Sequence, residues 1–251
     1  MKTTSTIIFL AAALLTTSCA FVSISGSGKA GKNDGNGIVA EKDFDICDFA
    51  GIKLDVPASV SYTVAEAPSM SVRLDENLMD YLKVSVADGK LKIGSIRPLR
   101  NFKEFRITLS SSALLDLDCN GAVDFASYGP IFGDMFTLKT NGAAHVDVDS
   151  VAVRFTRINV NGGSDVALHF DVAHNDEIRR FVDVMINGTG NVSLSGSCKM
   201  SDVLEEIKGS GTVDLTGLDY EYVGKRINGN SSVYTRYRPD YNPDPSESEN
   251  N

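Results

Sequence analysis

From Leu115 to Tyr237 the apolar residues alternate with polar ones in short runs, and each run restarts after a glycine-containing corner. The segments read Asn141-Gly142-Ala143-Ala144-His145-Val146-Asp147-Val148, then Asn161-Gly162-Gly163-Ser164-Asp165-Val166-Ala167-Leu168 and Asn187-Gly188-Thr189-Gly190-Asn191-Val192-Ser193-Leu194. Lys208-Gly209-Ser210-Gly211-Thr212-Val213-Asp214-Leu215 and Asn228-Gly229-Asn230-Ser231-Ser232-Val233-Tyr234-Thr235 follow, and Asn120-Gly121-Ala122-Val123-Asp124-Phe125 is a shorter first copy. Period-two alternation puts Val146 with Val148, Val192 with Leu194 and Val213 with Leu215 on one face of a strand. A second apolar column precedes each corner: Cys119, Thr140, Val160, Ile186, Ile207 and Ile227.

The corner glycines Gly121, Gly142, Gly162, Gly188, Gly209 and Gly229 lie 21, 20, 26, 21 and 20 residues apart. A fixed period in the low twenties marks stacked repeats, because one repeat cannot bury its own apolar face. Asn-Gly reaches positive φ at low cost and turns the chain sharply. The pattern therefore predicts an all-β fold, with a right-handed parallel β-helix-like solenoid over residues 110–237. An antiparallel sandwich is the competing reading, since Asn-Gly is also a hairpin signal. Sandwich turns recur about every 8–12 residues, half the spacing seen here.

Residues 38–109 lack the repeat and form a predicted N-terminal β-rich module. Ile52 to Val56, Val60 to Val64, Met70 to Leu74 and Phe105 to Leu109 alternate, and Val84 to Val86 and Leu91 to Ile93 flank the hairpin turn Asp88-Gly89. Glu76 to Leu82 is suited to one helical turn. The module is placed to cap one end of the stack, where an open sheet edge would otherwise remain.

The chain opens with Lys2 and an apolar run from Ile7 to Leu15, too short to span a bilayer. Thr16-Thr17-Ser18-Cys19 follows, so residues 1–18 read as a lipoprotein signal peptide with Cys19 as the lipidated residue. A plain secretory signal cut nearby is the alternative. A lipid on Cys19 attaches a protein to a membrane without a spanning helix. Residues 19–37 are rich in Gly and Ser and read as a flexible tether. Residues 238–251 are acidic and Pro- and Ser-rich, and read as a disordered tail.

Composition narrows the partners. The formal net charge is −9, with no basic stripe, which argues against nucleic acid. The absence of Trp removes one stacking platform for sugars, although eight tyrosines remain. With Cys19 assigned to lipid, Cys47, Cys119 and Cys198 are left, without metal spacing. Cys119 is expected inside as a small apolar residue. A disulfide from Cys47 to either Cys119 or Cys198 is compatible with an oxidising envelope.

The one irregular step, between Gly162 and Gly188, is filled by polar residues. His169, Asp171, His174, Asp176, Glu177, Arg179 and Arg180 form the candidate ligand-binding loop, since insertions in repeat proteins become loops on one face. The plainer reading is a solvated loop of mixed charge. Nothing gathers carboxylates with a base as a catalytic groove requires, so no catalytic residue, metal site or cofactor is assigned. Gly162-Gly163-Ser164-Asp165 is only superficially like a calcium nonapeptide, which must recur every nine residues or so. Asp124, Asp147 and Asp214 fall between inward positions and should face solvent.

Two blocks carry a family resemblance. One runs from Phe49-Ala50-Gly51-Ile52-Lys53-Leu54-Asp55-Val56 through Asp75-Glu76-Asn77-Leu78-Met79-Asp80-Tyr81-Leu82-Lys83-Val84 to Asp88-Gly89-Lys90-Leu91-Lys92-Ile93. The other is the glycine-rich series, clearest at Gly209-Ser210-Gly211-Thr212-Val213-Asp214-Leu215-Thr216-Gly217. Together they resemble the bacterial family called putative auto-transporter adhesin, head GIN domain, over about Phe44 to Tyr234. The resemblance implies a secreted or lipid-anchored β-helical protein of the kind common in Bacteroidetes, and carries over no catalytic residue. Ala20-Phe21-Val22-Ser23-Ile24 lacks the acidic cluster of surface-displayed Bacteroidetes lipoproteins, so the surface and periplasmic faces of the outer membrane both stay open. The expected function is a non-enzymatic, lipid-anchored cell-envelope protein: an adhesin or a binding scaffold for protein or glycan. The alternatives are a polysaccharide-acting β-helix enzyme and a periplasmic structural or envelope-stress component.

Overall fold

The computed structural model describes residues 33–171 and 179–236. The signal segment, Cys19, the tether up to residue 32, the acidic tail, and His174, Asp176 and Glu177 lie outside the described residues. What is described is all-β apart from one 3-10 turn (Glu76–Tyr81), where a short helical turn was expected.

The first strands are β1 (Val39–Asp43), β2 (Gly51–Leu54), β3 (Ser59–Val64), β4 (Ser69–Asp75), β5 (Leu82–Ala87), β6 (Lys90–Ser95) and β7 (Phe105–Ser111). Antiparallel pairing joins β1 to β4, β4 to β7 and β5 to β6. The β5–β6 hairpin turns at Asp88 and Gly89, both at positive φ (53° and 69°), the geometry such two-residue turns demand.

Beyond β7 the pairing is parallel throughout. The strands are β8 (Asp116–Gly121), β9 (Asp124–Gly142), β10 (His145–Gly162), β11 (Asp165–Phe170), β12 (Phe181–Gly188), β13 (Asn191–Gly209), β14 (Thr212–Asn228) and β15 (Ser232–Tyr234). Each repeat lies on the one before it in register, so Gly142 pairs with Gly162, Gly162 with Gly188, and Gly188 with Gly209. The first half of β10 pairs with β11 and its second half with β12, and both of these pair with β13. The pairing of these four strands is therefore closed, with β11 and β12 at one level between β10 and β13.

The N-terminal strands join the same 15-stranded sheet: β2 pairs with β8 and β3 with β9, both parallel. The short alternating runs of the sequence are not separate strands throughout. Instead β9, β10 and β13 run for 18 or 19 residues each. They bend without leaving the ladder, because an irregular residue absorbs the corner, as between Val148 and Ser150 where β10 loses register with β9.

The core is a set of ladders inside the stack. Val60, Phe125, Val146, Val166, Val192 and Val213 form one column across successive strands, and all are buried. Thr140, Val160, Ile186 and Ile207 form another, as the alternation requires. Cys119 is fully buried, and burial pushes its thiol up to about 12, so it packs as a small apolar residue. Cys119 and Cys198 are both free and buried, so neither is bridged to Cys47 as the cysteine count had allowed. Cys119 lies in register between Leu54 and Thr140.

The corner asparagines form a ladder of their own. Asn141 donates to Asn120 (2.7 Å), Asn161 to Asn141 (3.1 Å) and Asn187 to Asn161 (3.0 Å). Asn120 in turn donates to Asp55 (2.7 Å), tying the first corner to the N-terminal strands. Asn161 is both donor and acceptor, so Asn161→Ala removes two bonds at a partly wet site. The expected loss is about 1 kcal/mol, or roughly 3 °C in Tm, checked by thermal unfolding followed by circular dichroism.

Candidate functional site

Inward residues at alternate positions force their neighbours outward. Thr156, Ile158 and Val160 are buried, so Phe155, Arg157 and Asn159 face out along β10. In-register stacking then lines up equivalent outward residues. Met135, Phe155, Phe181, Asp202 and Tyr222 occupy one row, each seven residues before its corner glycine. Thr137, Arg157, Asp183, Leu204 and Gly224 occupy the next.

The centre of this face is aromatic. The rings of Phe155 and Phe181 stack with centroids 5.2 Å apart and planes 14° from parallel. Arg154 lies 4.8 Å from the Phe155 centroid and Arg179 lies 5.7 Å from that of Phe181, both at cation–π distance. Arg157 donates from Nε to Asp183 at 3.1 Å. Arg179 donates from Nε to Ser201 Oγ at 3.4 Å and stands 4.0 Å from Asp202. Between these charges runs a groove of about 600 Å³ lined by Met135, Phe155, Phe181, Leu204 and Tyr222 among others. Leu204 is 51% exposed and Tyr222 42% exposed, more apolar surface than folding alone requires. Gly224 leaves the floor open beside them, since a Cβ there would meet Leu204 Cδ2 at 3.0 Å.

The loop singled out in the sequence divides. His169, at the end of β11, shares a hydrogen bond with Ser195 Oγ (3.0 Å) and sits 3.4 Å from Asp171 through Nε2. Both side chains are about half exposed. Arg180 is buried, 4% exposed, whereas Arg179 joins the aromatic face. Of the residues proposed from sequence, Arg179 is thus the one placed at the groove, and His174, Asp176 and Glu177 cannot be placed. Among the described residues, no group of three or more His, Cys, Asp or Glu is arranged to hold a metal ion.

Phe155, Phe181 and Tyr222 were missed, although a signal existed. Aligning the repeats on their glycines places all three in one outward column.

This geometry defines a class: an all-β protein of in-register parallel repeats that presents an aromatic, charge-flanked groove on one sheet face. The chain belongs to the family described as putative auto-transporter adhesin, head GIN domain, which matches residues 48–175. Solved structures share the fold. A putative adhesin from Parabacteroides distasonis ATCC 8503 is similar at 20% identity and TM-score 0.62, over 80% of this chain and 98% of that one. A putative adhesin from Bacteroides fragilis NCTC 9343 gives 17% identity and TM-score 0.59, over 78% of this chain and 96% of that one. A protein described as a putative lipid binding protein, also from P. distasonis, gives 20% identity and TM-score 0.52, over 80% and 98%. No curated protein matches the sequence.

Proposed function

We propose that this chain is a non-enzymatic, lipid-anchored protein of the cell envelope. Its repeats form a right-handed parallel β-helix that presents the Phe155–Phe181 groove as a binding surface for protein or glycan. Cys19 carries the lipid, residues 19–37 are the tether, and residues 38–109 close the near end of the stack. The outer membrane is the site of attachment.

The observation that carries this reading is the stacked Phe155–Phe181 pair at the centre of an exposed apolar groove. Aromatic anchors flanked by arginine are the composition of binding hot spots. Membership of an adhesin-type family supports it. The alternation that builds the stack also makes the face rigid, so the groove is preorganised and binding orders little.

The test is a screen of the mature chain against a glycan array and a panel of extracellular-matrix and envelope proteins. Phe155→Ala/Phe181→Ala should weaken the strongest hit by at least roughly tenfold, with the circular dichroism spectrum unchanged. A hit indifferent to the double variant moves the site off this face. No hit on either panel removes the binding-scaffold reading.

A further inference from the structure

Among the described residues, the far end of the stack is open. Residues 222–228, the second half of β14, pair in register with β13 from Asp202↔Tyr222 to Lys208↔Asn228. β15 covers β14 only from Thr212 to Asp214. Among the described residues, no strand pairs with 222–228 on the outer side. The other end is closed differently, where β4 and β5 turn the pairing antiparallel and the 3-10 turn buries Leu78 and Met79.

At the open end the interior columns continue into the light. Thr156, Val182 and Val203 lead to Val223, which is half-buried. Val160, Ile186 and Ile207 are each fully buried and lead to Ile227, which is 41% exposed. Between them Ile158 and Val184 lead to Glu205 and then to Lys225. Glu205 is 3% exposed, and neither carboxylate oxygen has a hydrogen-bond partner. Lys225, directly over it in register, is exposed. A buried acid without a partner calls for a reason. Glu205 lies one repeat below the last described level of the stack, where Lys225 stands over it.

We propose that residues 222–228 are a strand-addition site, taking an extended segment of a partner polypeptide in parallel register. The added strand supplies apolar side chains over Val223 and Ile227 and a carboxylate over Lys225. Backbone pairing provides affinity and the alternate side chains provide selectivity, as in other strand-addition complexes. Covering this edge removes water from Lys225, which then lies between the new carboxylate and Glu205. A charge-assisted contact is strongest when water is excluded. The basic pair Lys225 and Arg226 also selects against a second copy of this chain, because two such edges would set like charges opposite one another. The site adjoins the aromatic groove at Tyr222, while Val223, Lys225 and Ile227, which select the added strand, lie outside the groove lining.

The chain supplies its own probe. The stretch 201–209, Ser-Asp-Val-Leu-Glu-Glu-Ile-Lys-Gly, already lies against 222–228 from the inner side, with Val203 on Val223, Glu205 on Lys225 and Ile207 on Ile227. A fluorescein-labelled synthetic peptide of this sequence is titrated with the mature chain and followed by anisotropy. The expected result is saturable binding, weakened roughly tenfold by Lys225→Glu, since one charge-assisted pair becomes a repulsion. A second peptide with Lys in place of that first Glu should bind the Lys225→Glu variant better than it binds the wild type. This charge-swap rescue also shows that the variant is folded. Absence of saturable binding, or binding indifferent to both swaps, overturns the proposal. So does light scattering that shows a dimer abolished by Lys225→Glu, because the occupant would then be a second copy.

Discussion

Gly188→Ala should destabilise the protein by about 3 kcal/mol, a backbone-strain effect compounded by a clash. Gly188 has φ +138°, a region that residues with a Cβ rarely enter. It also lies in register between Gly162 and Gly209, in the middle of the stack. A Cβ at 188 would press on the carbonyl oxygen of Gly162, with Gly162 C and Cα both at 3.1 Å. None of these atoms can rotate away, because all are backbone within the ladder. The repeats would have to separate locally, and each depends on its neighbours for burial. Gly163 is the matched control. It has no positive φ, and its added methyl meets only Thr189 Oγ1 at 3.2 Å, a side chain that can turn. Gly163→Ala should therefore stay within about 1 kcal/mol of wild type. Urea unfolding followed by tyrosine fluorescence compares the two. Equal midpoints for both variants would show that the corners are looser than described.

The second large effect is a pH dependence traced to Glu205. Burial, partly offset by Lys225, raises its carboxyl from 4.5 to about 7. A raised acid keeps its proton in the folded state after the unfolded chain has released it. The folded state then binds more protons, so stability falls as pH rises. The contribution is fully present below about pH 4.5 and is lost by the time the pH passes about 7. A shift of this size is worth about 3 kcal/mol across that window. Glu205→Leu continues the column begun by Leu138, Ile158 and Val184, so a leucine fits the site. The variant should be more stable than wild type, and its advantage should grow by roughly 2–3 kcal/mol between pH 4.5 and pH 8. The measurement is the difference between the two proteins' denaturant midpoints at each pH, which cancels the other carboxylates. A constant difference from pH 4.5 to pH 8 would exclude Glu205 as the source.

The repeat was legible because its signals are local. Asn-Gly at each corner and alternation on either side of it specify where the chain turns and which side chains go inward. Stacking of identical corners follows, since a single repeat leaves its apolar face bare. Strands β3, β4 and β7 and the β5–β6 hairpin were legible for the same reason. The single bent strands β9, β10 and β13 were not, because a bulge at a corner depends on the strand beside it. The candidate loop was chosen by its density of charge. Of its described members only Arg179 reaches the groove, and the feature beside it is made of phenylalanines, which composition alone reads as core.

The sequence by itself determined an all-β chain of repeats, its period, its inward columns and its family. Those are properties of residue order, set by turn chemistry and by the period of a strand. Register in three dimensions decided the rest. Phe155 and Phe181 are 26 residues apart in the chain, and only stacking brings their rings to 5.2 Å. Glu205 and Glu206 are adjacent and chemically identical, yet one is 3% exposed inside the stack and the other reaches Lys208 at its surface. Alternation with Val203 and Ile207 points Glu205 inward, and the placing of β13 between β12 and β14 is what buries it.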